Sequence, residues 1–360
     1  MKRHGLLLGI VTLGITAFLA ACGGSSNNSS MDTHFKSTIL VSDGAVAAAH
    51  VDPNLKNGWG IVFNPKGVVW VANNGTQTST LYDGNGVPQS LIVTIPAVAS
   101  GPANPTGIVF NGSTDFVVSS GGKSGTGLFI FAGEGGTLSA WSPGVLPTTA
   151  VTVFDGSSAN AVYKGLALAA SSSGNRLYAA DFHNARVDVF DKTFTKLSLP
   201  GAFQDTSLPA GFAPFGIQAI GTKIYVAYAK QDAALHDEVD GPGLGAVDVF
   251  DTDGNLLQRL AQGGPLNAPW GMTQAPANFG SLSNDILIGN FGDGTISAFD
   301  PTSGKFMGKL LQADGSNFVQ QGLWGIAFGN GVDSQPVNTL FFAAGPNHEA
   351  DGVYGRIDMQ

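Results

Sequence analysis

A single cysteine in 360 residues is the first constraint. It excludes an internal disulfide framework and any metal site built from clustered cysteines. Charge is scarce too: Asp, Glu, Lys and Arg make up 12% of the chain, with 17 basic residues against 26 acidic ones. A net charge of −9 leaves no basic footprint for phosphates, so nucleic acid is not expected as a partner. Beyond residue 22 no stretch has the continuous apolar length of a transmembrane helix. Familiar catalytic signatures are missing as well. There is no Gly-x-Ser-x-Gly elbow, no His-Glu-x-x-His and no Cys-x-x-Cys. Gly122-Lys123-Ser124 imitates the end of a P-loop, but position 117 is Val and no helix is signalled after it. Asp251-Thr252-Asp253-Gly254-Asn255 begins like a calcium loop, yet its sixth and twelfth positions are Leu256 and Gln262; it reads as a hairpin turn.

What is abundant is glycine, at 51 positions, alongside a hydrophobic fraction of 43%. That apolar fraction builds a real core, and the glycines point to short strands and tight turns. The N-terminus reads separately. Lys2 and Arg3 precede an apolar run from Leu6 to Ala20, which ends in Leu19-Ala20-Ala21-Cys22. This is similar to a bacterial lipobox, with Cys22, the one cysteine, as the acceptor of diacylglycerol. Residues 1–21 are then a lipoprotein signal peptide. Residues 22–34 are the lipidated cysteine and a polar tether rich in Gly, Ser and Asn. Loss of Lys2 and Arg3 moves the net charge from −9 to −11, so the acyl chains rather than the protein surface would hold the membrane. Gly23, where an Asp would favour inner-membrane retention, points to the outer membrane, with the protein facing the periplasm or the exterior.

From residue 35 onward the chain repeats. Gly60, Gly107, Gly165, Gly216, Gly271 and Gly325 each sit inside a short apolar element, at separations of 47, 58, 51, 55 and 54 residues. After each comes a second apolar run (Val68–Ala72, Phe116–Ser119, Arg176–Ala180, Lys223–Ala227, Asp285–Gly289, Thr339–Ala343), a polar loop and an alternating strand such as Arg186–Asp191 or Ala246–Asp251. A fourth apolar stretch follows in most repeats. Four antiparallel strands per repeat and six repeats predict an all-β, six-bladed β-propeller over residues 35–360. The sixth repeat runs out at its third strand, Gly352–Asp358, while Phe35–Val41 is a strand without a repeat. The N-terminal strand is therefore expected to complete the last blade, closing the ring and covering an open edge.

Leu177–Asp191, reading Leu-Tyr-Ala-Ala-Asp, a short loop, then Arg-Val-Asp-Val-Phe-Asp, resembles an NHL repeat. The whole chain from about residue 35 also resembles an uncharacterised bacterial propeller family, some members of which carry a PEP-type C-terminal sorting tail. Here Met359-Gln360 ends the chain without such a tail, and lipidation is expected to replace that route. The resemblance implies the fold and brings no activity with it.

In such a ring the loops leading into each first strand and the second-to-third loops open on one face. There the sequence places Asn73, Ser119–Gly122, Asp181, His183, a long blade-4 insertion over 229–245 with His236-Asp237-Glu238, Asn290, Asn347 and His348. Trp59, Trp270 and Trp324 stand directly before repeat glycines. One reading makes this face a pocket, with the tryptophans as stacking walls. Asn73, Asp181, His183, Asn290 and His348 would then be ligands of a divalent cation, Ca²⁺ or Mg²⁺. The other makes the Asn and Asp residues turn caps and the tryptophans packing between blades. The insertion is either a functional lid or a solvated acidic loop. Two functions compete accordingly: a lipid-anchored binding module for a glycan, peptide or protein, or a metal-dependent hydrolase or lyase of the lactonase type, related propellers of that kind holding a cation in the channel.

Overall fold

The structure, a computed structural model, describes residues 33–98 and 101–360. The expected signal peptide, Cys22 and the tether up to residue 32 lie outside the described residues. Six antiparallel sheets, each with a frame of four strands, follow one another along the chain. Blade 1 consists of Gly58–Phe63, Val69–Asn73, Thr78–Tyr82 and Val93–Thr94. Blade 3 (Tyr163–Ser171, Gly174–Asp181, Arg186–Phe190, Lys196–Leu197) and blade 5 (Pro269–Gln274, Ile286–Asn290, Ile296–Phe299, Phe306–Lys309) follow the same plan. In blade 4 the strands are Phe212–Ile220, Lys223–Gln231, Ala246–Phe250 and Leu256–Gln262. Blade 6 takes Leu323–Phe328, Leu340–Ala344 and Val353–Met359 from the end of the chain. Its fourth strand is His34–Ser42, paired antiparallel from Phe35–Met359 to Ser42–Val353. The fold is the six-bladed propeller read from the repeats, closed by the N-terminal strand.

The repeat glycines have a common cause. The first strands run side by side around the axis, blade 6 next to blade 1, and their backbones nearly touch at the glycine. A Cβ at Gly60 would lie 2.6 Å from the Thr106 carbonyl oxygen, at Gly216 2.1 Å from that of Trp270, and at Gly271 2.4 Å from that of Trp324. At Gly325 it would lie 2.5 Å from the carbonyl of Trp59, so the same contact closes the circle. Real Cβ atoms do not approach so closely, and only glycine fits. Between blades the sheets pack by interdigitating apolar side chains, as where Trp70 of blade 1 stacks on Phe129 of blade 2 at 3.8 Å and 15°.

One blade departs from the expected strand order. In blade 2 the strands are Pro105–Phe110, Phe129–Gly133, Thr137–Trp141 and Val151–Asp155. The apolar run at Phe116–Ser119 is not its second strand. Val117–Ser120 pairs with Lys123–Thr126 in a separate hairpin, inserted between the first and second strands. Ser119–Gly122 therefore lie on the face opposite the expected pocket. The true second-to-third loop of this blade is Gly133-Glu134-Gly135-Gly136.

Candidate functional site

The residue before each repeat glycine turns toward the channel mouth. In chain order these residues are Trp59, Thr106, Lys164, Phe215, Trp270 and Trp324. Four are aromatic and pack with Phe182 and Phe291 into one apolar plug. Trp59 and Trp324 stack at 3.5 Å and 17°, with Phe291 stacked on Trp324 at 4.1 Å and Trp270 edge-on to both. All three tryptophans are buried; they form the floor of the mouth rather than exposed stacking walls. Below them the channel narrows to a cavity of about 30 Å³, lined by four of the repeat glycines (Gly60, Gly107, Gly271 and Gly325) and their neighbours and by no charged side chain.

Lys164 is the exception in that column. Its side chain is 2% exposed. Its Nζ donates to Glu134 Oε1 at 2.5 Å and to Asp237 Oδ1 at 3.0 Å, and sits 5.3 Å from the centre of the Trp59 ring. Trp270 Nε1 donates to the Lys164 carbonyl at 2.8 Å and fixes the backbone beneath it. Burial of this ammonium works against its charge, but Glu134, Glu238 and Asp237 outweigh it and hold the proton more firmly than on a free lysine.

The carboxylates come to the mouth around Lys164 from three other blades. Glu134 comes from the blade-2 loop, where it also accepts from Asn74 Nδ2 at 2.8 Å. Asp237 and Glu238 come from the blade-4 insertion. That segment is an ordered extension of the blade: Lys230 pairs with Val239 and Gln231 with Glu238, and Gln231 Nε2 donates to the Phe182 carbonyl at 2.6 Å. Glu349 comes from the blade-6 loop and accepts from Asn57 Nδ2 at 2.6 Å, while Asn57 Oδ1 accepts from Trp324 Nε1 at 3.0 Å. Burial pushes the Glu238 carboxyl up to about 7, against the pull of Lys164 and helped by Glu349 and Asp237. Burial likewise raises Glu349, whereas Lys164 and His236 overcome burial at Asp237 and lower it. Asn347, His348 and Glu349 are three successive non-glycine residues in the left-handed region, at φ 56°, 54° and 65°. Each costs about 1 kcal/mol or more, and the strained turn is what carries Glu349 to Asn57.

The residues singled out from sequence distribute unevenly. Asn73, Asp181 and Asn290 are each the last residue of a second strand, fully buried. Each bonds within its own blade. Asn73 donates to Thr78 and Thr80, Asp181 accepts from Val162 and Asn184 and pairs with Arg186, and Asn290 joins Asn267, Pro265 and Thr295. These three cap turns. His183 and His236 line a cleft of about 540 Å³ beside Glu134. His236 Nδ1 lies 2.8 Å from Asp237 Oδ1, and Asn347 and His348 are exposed. Among the described residues, the His and acidic ligand atoms that gather within 4.8 Å of one another are those of Glu134, His236 and Asp237. Sequence reasoning missed Lys164, Glu134 and Glu349 as centres of the site. Lys164 had a signal, being the one charged residue in the column before the repeat glycines. Glu134 was hidden by the blade-2 hairpin.

No family model matches the chain. Among solved structures it is similar to a protein of unknown function from Bacteroides thetaiotaomicron (12% identity, TM-score 0.56, covering 91% of this chain and 77% of that one). It is also similar to a streptogramin B lyase (11%, 0.52, 92% and 99%) and to a glucose dehydrogenase (13%, 0.52, 89% and 99%). At these identities the likeness shows the propeller fold alone. Two sequences are much nearer. The uncharacterized protein R648 of Acanthamoeba polyphaga mimivirus is 34% identical over 332 residues, 90% of this chain and 80% of that protein, and the uncharacterized protein L690 of the same virus is 35% identical over 330 residues, 90% and 85%. The chain belongs to the same protein family as R648 and L690.

Proposed function

We propose that this is a lipid-anchored propeller of the cell envelope that binds a ligand at the channel mouth, over the Lys164 cluster. One observation carries this reading. A buried ammonium is held by acids from separate loops over an aromatic floor, although the ring's own packing needs no charge there. Burying charge is costly, and replacing such a group by apolar side chains is often neutral or stabilising. Perturbed, clustered titratable groups in a concave surface are candidates for a functional site. Glu134, Asp237, Glu238 and Glu349 outnumber Lys164, so the mouth suits hydrogen-bond donors and cations: the hydroxyls of a glycan or the basic groups of a peptide or protein. Titration calorimetry of the purified protein against neutral glycans, cationic peptides and anionic glycans tests it. Saturable binding to the first or second class, lost in Glu134→Gln/Asp237→Asn, is expected; preference for the anionic class would overturn the reading.

A second reading, a metal-dependent hydrolase or lyase, is favoured by the approach of Glu134, His236 and Asp237. Glu238, balanced near neutrality, would serve as its general base. A divalent cation would have to share Glu134 and Asp237 with the ammonium of Lys164, which already bonds both. Elemental analysis and unfolding with and without EDTA separate the two. A stoichiometric metal whose removal lowers the melting temperature supports the enzyme.

A further inference from the structure

The face opposite the site is where the chain enters the ring. Thr33, the first described residue, is fastened to the first-to-second loop of blade 5: its N donates to Ser281 Oγ at 3.3 Å, and Ser281 N donates to Thr33 Oγ1 at 2.8 Å. His34–Ser42 then runs from that face toward the channel mouth, since Phe35 pairs with Met359, at the end of the third strand of blade 6, and Ser42 with Val353, at its start.

The same face carries four large exposed apolar side chains. Leu256, Leu257, Phe306 and Met307 are 42, 52, 42 and 46% exposed. They open the fourth strands of blades 4 and 5, directly after the third-to-fourth turns. The two strands are neighbours: Gln258 Nε2 donates to the Thr302 carbonyl at 3.2 Å, and Gly304 packs against the Leu260 carbonyl. Val332 and Val337, 37 and 53% exposed, add to this face from the first-to-second loop of blade 6. Exposed apolar surface gathered in one region marks an interaction site.

We infer that this face is the membrane-facing side of the protein, with the blade 4 and 5 patch resting on the bilayer and the Lys164 mouth pointing away from it. The inference rests on the lipid-anchor reading of Cys22. Ten residues separate Cys22 from Thr33, a length that reaches at most about 40 Å when fully extended. An acyl chain at Cys22 thus holds the blade 5 edge within that distance of the lipid surface, and the patch lies on the blade that receives the chain. Asp251, Asp253 and Asp300 flank it in the adjoining turns, offset by Arg176, which bonds Asp253, and by Lys305 in the Asp300 turn, so the patch needs no anionic lipid and suits a zwitterionic bilayer.

The test uses the lipidated protein purified from cell membranes. Diacylglycerol transfer consumes the Cys22 thiol, so an introduced cysteine is the one free thiol. Leu257→Cys on the patch and Ala234→Cys at the tip of the blade-4 insertion each receive an environment-sensitive fluorophore. The proteins are then reconstituted on phosphatidylcholine vesicles containing a quencher lipid. Quenching at least several-fold stronger at 257 than at 234 is expected, without any anionic lipid. Equal or inverted quenching overturns the orientation. A 257 signal that depends on protein concentration without vesicles overturns it in favour of a second copy on the patch. Failure of the anchor is seen separately: the unmodified protein would then stay in the soluble fraction with a Cys22 thiol that reacts with maleimide.

Discussion

Lys164 of blade 3 and Glu134 of blade 2 form a 2.5 Å ion pair at the channel mouth, 30 residues apart in sequence and with both side chains almost wholly out of water. Neither group is needed to close a turn or fill the apolar plug. Removing one partner of a buried pair leaves the other charge uncompensated, at a cost of about 3–5 kcal/mol. Lys164→Met is expected to lose about 3 kcal/mol at pH 7.5, measured by urea unfolding. Part of that loss should return at pH 5.5, where Glu238, pushed up to about 7, carries its proton. An unchanged midpoint would show that the pair is incidental.

Glu238 makes the pH dependence testable. Its carboxyl titrates near 7 in the folded protein against 4.5 for the ordinary group. The folded state then binds this proton more tightly than the unfolded chain. Stability contributed by this group is full below pH 4.5 and declines as pH rises to 7. Glu238→Gln should therefore match the wild type at pH 4.5 and exceed it at pH 8 by about 1–2 kcal/mol, a shift discounted for partial solvent access. Thermal melts across that range check it; a gain at low pH instead would reverse the sign and the argument.

The left-handed turn at Asn347-His348-Glu349 offers a third test. Glycine adopts φ 54° without strain, so His348→Gly is expected to stabilise the protein by about 0.5–1 kcal/mol. Ligand binding should persist if His348 only shapes the turn. Loss of stoichiometric metal in this variant would restore the histidine as a ligand.

The ring itself is tested at Gly325, whose added Cβ would meet the Trp59 carbonyl at 2.5 Å. Overpacking of this kind costs about 1–3 kcal/mol. Gly325→Ala should fall in that range, while Gly144→Ala, with nothing within 4 Å of the added carbon, should stay near zero. Equal effects would mean that the first strands can spread apart.

Removing residues 33–42 would strip the fourth strand from blade 6 and leave Val353–Met359 as an open edge. Loss of the cooperative calorimetric transition and aggregation are expected. A sharp transition near the wild-type temperature would show that the ring holds without its closing strand.

The blade count, the strand order of five blades and the closing strand were determined by the sequence alone. The reason is local: each first strand needs a glycine where the neighbouring backbone comes within touching distance, and period-2 alternation marks the half-buried strands around it. Asn73, Asp181 and Asn290 were equally visible, but a polar residue at a strand end looks the same whether it caps a turn or holds a ligand. Only the tertiary structure shows the turn-capping bonds that each one makes, because those depend on which partners the side chain finds across the blade. The site needed the fold for a further reason. Glu134, Lys164, Asp237 and Glu349 lie in four different blades, and ring closure is what sets their charges around one buried ammonium.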